Sequence, residues 1–401
     1  MRRWMLLAVA TLICGALGGG AVGGSASSTH APSVRPVNAA LAAAQPVVSG
    51  PAAEAARLVG EMTTAEQAAS IVMGHIPTVD PAALADYMSA TSIGGFILMG
   101  ANVPATEAGL RAVTAALASE ADVPPLIAID QEGGDVSRLP WDDGASSSTL
   151  KSRPTAETSA AFAARAALVA RAGASVNFGV IADTTGDASS FIYRRSLGAD
   201  PASAADRVSA AVAAEEPMVA STLKHFPGHG AAPGDSHQLI PSTGKSLDEW
   251  RRTDAVPFEA GIDAGARLLM FGHLSYTAVD QKPASLSQRW HEIARDDLGF
   301  NGVIVTDDLG MLISTGIPEY ADPVANAVAA VAAGSDLVLM VAHSTPQTAA
   351  QITGGIAEAV EQGSLPDDRL QDAAERVMTL RLELAASAAV WAPCGDCEPV
   401  S

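Results

Sequence analysis

From Ala55 onward, short apolar runs alternate with alanine-rich stretches of helical character, and this alternation constrains the fold more than any other feature of the chain. The runs Ile71–Gly74, Gly95–Met99, Leu126–Ile129, Val176–Ala182, Ala220–Lys224, Arg267–Phe271, Val303–Thr306 and Asp336–Val341 read as eight strands. They are nearly continuous in apolar character, as strands covered on both faces must be. Between them, Glu107–Glu120, Ala156–Ala172, Ala202–Ala214, Asp248–Ala264 and Pro323–Ala333 read as helices, and Asp367–Ala389 as a closing helix. This repeat predicts an α/β fold, a (β/α)8 TIM-type barrel in one domain spanning residues 53–390.

The 401 residues are 48% hydrophobic, enough for a core of that size. The net charge is -20, which excludes a nucleic-acid partner, since binding phosphates needs a basic face. Residues 1–26 read as an export signal: Arg2 and Arg3 precede the apolar run Trp4–Ile13, which is too short to span a bilayer permanently. Two endings fit. One is simple cleavage near Gly24-Ser25-Ala26. The other is a lipoprotein signal ending before Cys14 in Thr11-Leu12-Ile13-Cys14, although Ile13 is bulky for that position. A lipid at Cys14 would then be the only contact with a membrane. Residues 27–52 read as a flexible linker and 391–401 as a C-terminal tail. In the tail, Cys394-Gly395-Asp396-Cys397 suits a small local disulfide better than a redox pair or half of a metal site. The expectation is an exported monomer, in the cell envelope or secreted.

The polar residues fall just after the strands. Asp130 follows the third run and Asp183 the fourth; Lys224 and His225 end the fifth; His273 follows the sixth; Asp307 and Asp308 follow the seventh. In barrels of this kind the C-terminal strand ends carry the site.

Three segments could carry chemistry. Asp307-Asp308 pairs carboxylates at a strand end; the expectation is that Asp307 points inward and that Asp308 sits nearer the cap of the next helix. Asp130-Gln131-Glu132-Gly133-Gly134 places an acid where it could grip vicinal hydroxyls, with Arg138 in reach of the same ligand; a turn with a capping acid is the competing reading. The segment Lys224-His225-Phe226-Pro227-Gly228-His229-Gly230, followed by Asp235-Ser236-His237, packs three histidines into a loop broken by proline and glycine. These types could ligate a metal, but Pro227 and Gly228 prevent His225 and His229 from sharing a helix face. Alternatively, Asp235 could bond one ring nitrogen of His237 and orient the other toward a substrate, as an acid/base dyad. The dyad is favoured.

Together the blocks Ile127-Ala128-Ile129-Asp130-Gln131-Glu132-Gly133-Gly134, Lys224 to Gly230 with Asp235-Ser236-His237, and Gly302-Val303-Ile304-Val305-Thr306-Asp307-Asp308-Leu309 resemble family 3 glycoside hydrolases. The Asp-Ser-His loop is similar to that of their β-N-acetylglucosaminidase (NagZ-type) branch. The resemblance covers roughly residues 55–385. It implies that Asp307 is a nucleophile forming a covalent glycosyl-enzyme, that His237 is the general acid/base with Asp235 its partner, and that Asp130, Arg138, Lys224 and His225 hold the sugar. Arg195 is preferred to Arg194 for a further sugar contact, and Asn177 and Asp183 match supporting positions. The implied substrate is a terminal β-linked N-acetylglucosamine, most plausibly in GlcNAc–MurNAc peptidoglycan fragments, with no metal or organic cofactor. Phosphorolysis, a broader β-glycosidase, a metal-dependent hydrolase and a non-catalytic sugar-binding protein are the alternatives. The chain departs from the family pattern at Asp135, where an arginine is common, and at Leu197, where an aromatic is usual. It also leaves no room for the second α/β domain of many relatives.

Overall fold

The structure, a computed structural model, describes residues 50–119 and 121–390. The segment read as an export signal, with Cys14, nearly all of the segment read as a linker, and Cys394 and Cys397 lie outside the described residues.

Eight parallel strands form the central sheet: β1 (Val72–Gly74), β2 (Gly95–Leu98), β3 (Leu126–Ile129), β4 (Val176–Ile181), β5 (Ala220–Phe226), β6 (Leu268–Phe271), β7 (Val303–Thr306) and β8 (Val338–Leu339). Neighbours in sequence are neighbours in the sheet, and β8 returns to pair with β1 through Val72–Val338 and Met73–Leu339. A bridge from Val305 to Leu337 and the Thr306 N–H bond to the Leu337 carbonyl join β7 to the start of β8. The sheet is thereby closed into the predicted barrel. All eight strands match predicted runs, with ends differing by a few residues, because their side chains are buried on both faces and leave an unbroken apolar signature.

The outer helices begin on strong local signals. Asp80-Pro81, Asp200-Pro201 and Asp322-Pro323 each place an aspartate as N-cap, accepting a backbone N–H from the first turn, ahead of a proline that fits position N1. The predicted helix over 248–264 is instead two, Leu247–Arg252 and Ala255–Asp263. The break falls where Asp254 turns inward to pair with Lys245 and Thr253.

An aromatic cluster behind β5 and β6 holds the site from below. Phe226 lies 4.7 Å from Phe271, 5.3 Å from Phe258 and 5.8 Å from both Trp250 and Trp290, ring to ring. Trp250 Nε1 donates to the Pro227 carbonyl at 2.7 Å, and the Tyr276 hydroxyl donates to Gly228 at 2.8 Å. The cluster therefore fixes the start of the histidine-rich loop. Cutting Phe226 back to alanine would cost about 3–5 kcal/mol. Farther along, a two-stranded parallel pair, Ser242–Thr243 with Ser275–Tyr276, ties the end of that loop to the barrel.

Candidate active site

The turn after β3 is built around Gln131. Its backbone N–H donates to Asn177 Oδ1 (3.0 Å), and its side-chain oxygen accepts from the N–H groups of Arg138 and Leu139. Gly133 and Gly134 follow with φ of +83° and +81°. A Cβ on Gly133 would lie 2.0 Å from the guanidinium of the buried Arg165, so the turn can pass there only as glycine. With the turn locked, Asp130 and Glu132 both face the barrel mouth.

Three cations meet them. Lys224, at the end of β5, lies 2.8 Å from Asp130 Oδ1 and 2.8 Å from Glu132 Oε1. Arg138 reaches Asp130 Oδ2 at 3.2 Å. Arg195 grips Glu132 with two bonds, 2.7 and 2.9 Å. Burial would raise the Asp130 carboxyl, but Lys224 and Arg138 outweigh it and pull it down to about 2. The carboxylate is thus charged and desolvated, a strong acceptor for sugar hydroxyls.

His225 Nδ1 donates to Asp183 Oδ2 at 2.7 Å, and its Nε2 faces Arg195 Nη2 at 3.4 Å. Burial, with Arg195 and Lys224 nearby, holds this imidazole neutral, well below its usual range. Asp183 is fully buried. Desolvation lifts its carboxyl to about 6, against the backbone N–H groups of His225 and His229 that it accepts.

Asp307 ends β7. Its N–H bonds the Phe271 carbonyl at 2.9 Å, and its Oδ1 accepts from the Asp308 N–H at 2.8 Å. Burial would raise this carboxyl too, but His225, His273, the Asp308 N–H and Lys224 hold it below the ordinary value. Asp308 also lines the cavity and accepts N–H bonds from Gly310, at the start of the short helix Gly310–Ser314, and from Val341 and Ala342, all at 2.8–2.9 Å. Asp308 is thus the nearer of the two to the helix start, while both aspartates line the cavity. His273 serves the frame: Nε2 donates to the Asp308 carbonyl, and Nδ1 accepts from Ser285.

Asp235 and His237 sit on the exposed loop after β5, with His237 Nδ1 2.7 Å from Asp235 Oδ1. His237 lines the same cavity as Asp130, Arg138, Arg195, Lys224, His225 and Asp307. That cavity holds about 320 Å³, at the small end of ligand-sized cavities. Asp235 reaches it only through His237. Among the described residues, no three His, Cys, Asp or Glu side chains gather as a metal-holding group.

The model of the glycosyl hydrolase family 3 N-terminal domain matches residues 63–380. This chain belongs to glycosyl hydrolase family 3. It is 35% identical over 269 residues to a protein named beta-hexosaminidase from Stenotrophomonas maltophilia, covering 64% of this chain and 78% of that one. It also resembles the solved family 3 β-N-acetylglucosaminidase of Paenibacillus sp. str. FPU-7, with TM-score 0.75, 28% identity, and coverage of 84% of this chain and 66% of that chain. A fungal multi-domain family 3 β-N-acetylglucosaminidase aligns with TM-score 0.73 and 25% identity over 79% of this chain, which spans only 39% of that protein's length.

For a family 3 glycoside hydrolase, the departures are local. Asp135 forms an exposed two-bond pair with Arg194 at 2.8 and 2.9 Å, which leaves Arg195 to enter the cavity. Leu197 is fully buried in the core. Sequence reasoning gave no site role to Glu132 or Met311, weighed His229 only as a metal ligand, and passed over Phe191, yet all four line the cavity. Glu132 stands in a quoted motif, but its partner Arg195 is 63 residues away. Phe191 lay in a segment with no strand or motif to mark it.

Proposed function

We propose that this hydrolase is a retaining exo-β-N-acetylglucosaminidase. The observation that carries the reading is the ionised, half-buried Asp307 in one cavity with the Asp130–Lys224–Arg138 cradle and the loop-borne His237. In this reading, Asp130 accepts from two hydroxyls of the terminal sugar, and Lys224, Arg138 and His225 complete the grip. His237 gives its proton to the glycosidic oxygen as the C1–O bond breaks, and an Asp307 oxygen forms the new bond to C1. His237, again a base, then takes a proton from water, whose oxygen displaces Asp307. Asp235, bonded at Nδ1, keeps Nε2 as the working nitrogen. The acid/base here is a histidine, so the spacing rule for paired carboxylates does not apply.

The names of the relatives support the acetamido sugar over glucose. The proposed substrate is a terminal β-linked N-acetylglucosamine of GlcNAc–MurNAc fragments, met outside the cytoplasm by a chain whose residues 1–26 read as an export signal. The test is release of p-nitrophenol from the β-N-acetylglucosaminide and the β-glucoside, with and without EDTA and phosphate. Selective, EDTA-resistant cleavage of the acetamido sugar supports the reading. Acceleration by phosphate moves the acceptor from water to phosphate. Equal or no cleavage of the two sugars, or loss with EDTA, overturns it.

A further inference from the structure

His229 is a buried histidine whose ring has nothing to bond. Its backbone N–H donates to Asp183 Oδ1 at 2.6 Å, which fixes where the residue sits. The residue is among those lining the cavity and is only 1% exposed. Among the described residues, neither ring nitrogen has a hydrogen-bond partner. A buried polar group left unmet costs about 1–3 kcal/mol, a penalty that a ligand with matching groups removes.

The neighbour of that ring narrows what the ligand group is. The half-buried Phe191 also lines the cavity, its ring centre 4.7 Å from that of His229 and the planes 75° apart. An apolar ring therefore stands beside two unmet nitrogens. Burial keeps the His229 imidazole neutral, lowering its pKa despite Asp183. A neutral imidazole presents one N–H and one lone pair. An amide presents one carbonyl acceptor and one N–H, and an acetamide adds a methyl group for the aromatic face. A sugar hydroxyl could meet one nitrogen but would leave Phe191 facing water or bare carbon.

We propose that His229 and Phe191 form the recognition pocket for the 2-acetamido group of the substrate, with His229 bonding the amide and Phe191 covering its methyl. This rests on the reading above. It makes the pair specificity-determining residues, and it leaves the chemistry to Asp307 and His237.

The test compares His229→Ala and Phe191→Ala with the wild type in the full chain. The readouts are kcat/KM for the aryl β-N-acetylglucosaminide and the aryl β-glucoside, and inhibition by free N-acetylglucosamine. A site that bonds a substrate's polar group discriminates strongly against an analogue lacking it. The preference for the acetamido sugar should therefore fall by about tenfold or more in each variant, mainly through KM, and inhibition by N-acetylglucosamine should weaken in parallel. Phe191→Ala keeps the test open if His229→Ala fails to fold. Equal losses on both sugars would mean that His229 merely holds the loop, and would overturn the proposal. A wild-type enzyme that prefers N-acetylglucosamine, with variants that keep that preference, sinks this inference alone. A wild type without the preference sinks the proposed function as well.

Discussion

The Asp235 carboxylate lies 2.7 Å from His237 Nδ1 and also accepts the His237 backbone N–H at 3.0 Å. One carboxyl thus fixes both the ring and the main chain of a residue that is otherwise exposed. Burial would raise Asp235, but these bonds to His237 hold its carboxyl below the usual value, so it is the anion at working pH. The pair is a unit, and its two members should fail in the same way.

Replacing His237 by alanine should therefore slow natural disaccharides by about 10²–10⁴-fold, the usual contribution of a positioned acid/base. Aryl glycosides with good leaving groups need little protonation and should lose far less in the first step. Asp235→Asn should show the same dependence on leaving group in milder form. Rates across a series of aryl leaving groups check this, and a uniform loss for all members would remove His237 from the acid role.

Asp307→Ala should lower turnover more than about 10³-fold while leaving the circular dichroism spectrum intact. Asp308, whose N–H Asp307 accepts, also lines the cavity, so water can reach that N–H in the variant and little structure is lost. Azide should partly restore cleavage of activated substrates by attacking C1 from the face the carboxylate has left, giving an α-glycosyl azide. A β-azide product, or near-normal activity without azide, would refute the nucleophile assignment.

Lys224 is the shared counter-ion of Asp130 and Glu132. Lys224→Met removes one charge and leaves two desolvated carboxylates short of a partner, which should cost about 3–5 kcal/mol at neutral pH. Without Lys224, burial dominates at Asp130 and its carboxyl takes up a proton more readily. The deficit should therefore shrink as the pH is lowered toward about 5. Denaturant unfolding at several pH values measures it, and a deficit independent of pH would place the cost elsewhere.

The strands and the rim were legible because both leave local marks. A strand buried on both faces is an apolar run, and a polar residue directly after it stands at the barrel mouth. That logic found Asp130, Lys224, His225 and Asp307 by position. It chose Arg195 over Arg194 only through resemblance; in the structure Arg194 pairs with Asp135 at the surface and Arg195 lines the cavity. What stayed hidden depends on partners far apart in sequence. Asp254 looked like part of one solvated helix until Lys245 drew it inward and split the helix in two. Phe191 and His229 become a feature only once the fold sets their rings side by side.

Glu215 gives the last prediction. It ends the helix Pro201–Glu215, fully buried, and its Oε1 accepts from Asn177 Nδ2 at 2.6 Å. Asn177 in turn holds the backbone of Gln131, beside the sugar-gripping Asp130. Burial raises the Glu215 carboxyl from 4.5 to about 8, only partly offset by the Asn177 bond. The folded state then binds a proton that the unfolded chain has released, so stability should fall as pH climbs from about 4.5 through 8. Asp183, raised to about 6, tilts stability in the same direction, but its share is mostly spent by neutrality. The window from about pH 7 to 8.5 thus belongs mainly to Glu215. Glu215→Gln keeps the acceptor for Asn177 and cannot ionise. Its melting temperature should match the wild type near pH 5 and exceed it by a few degrees near pH 8.5. Parallel melting curves for the two proteins across that range would show that Glu215 does not carry the proton.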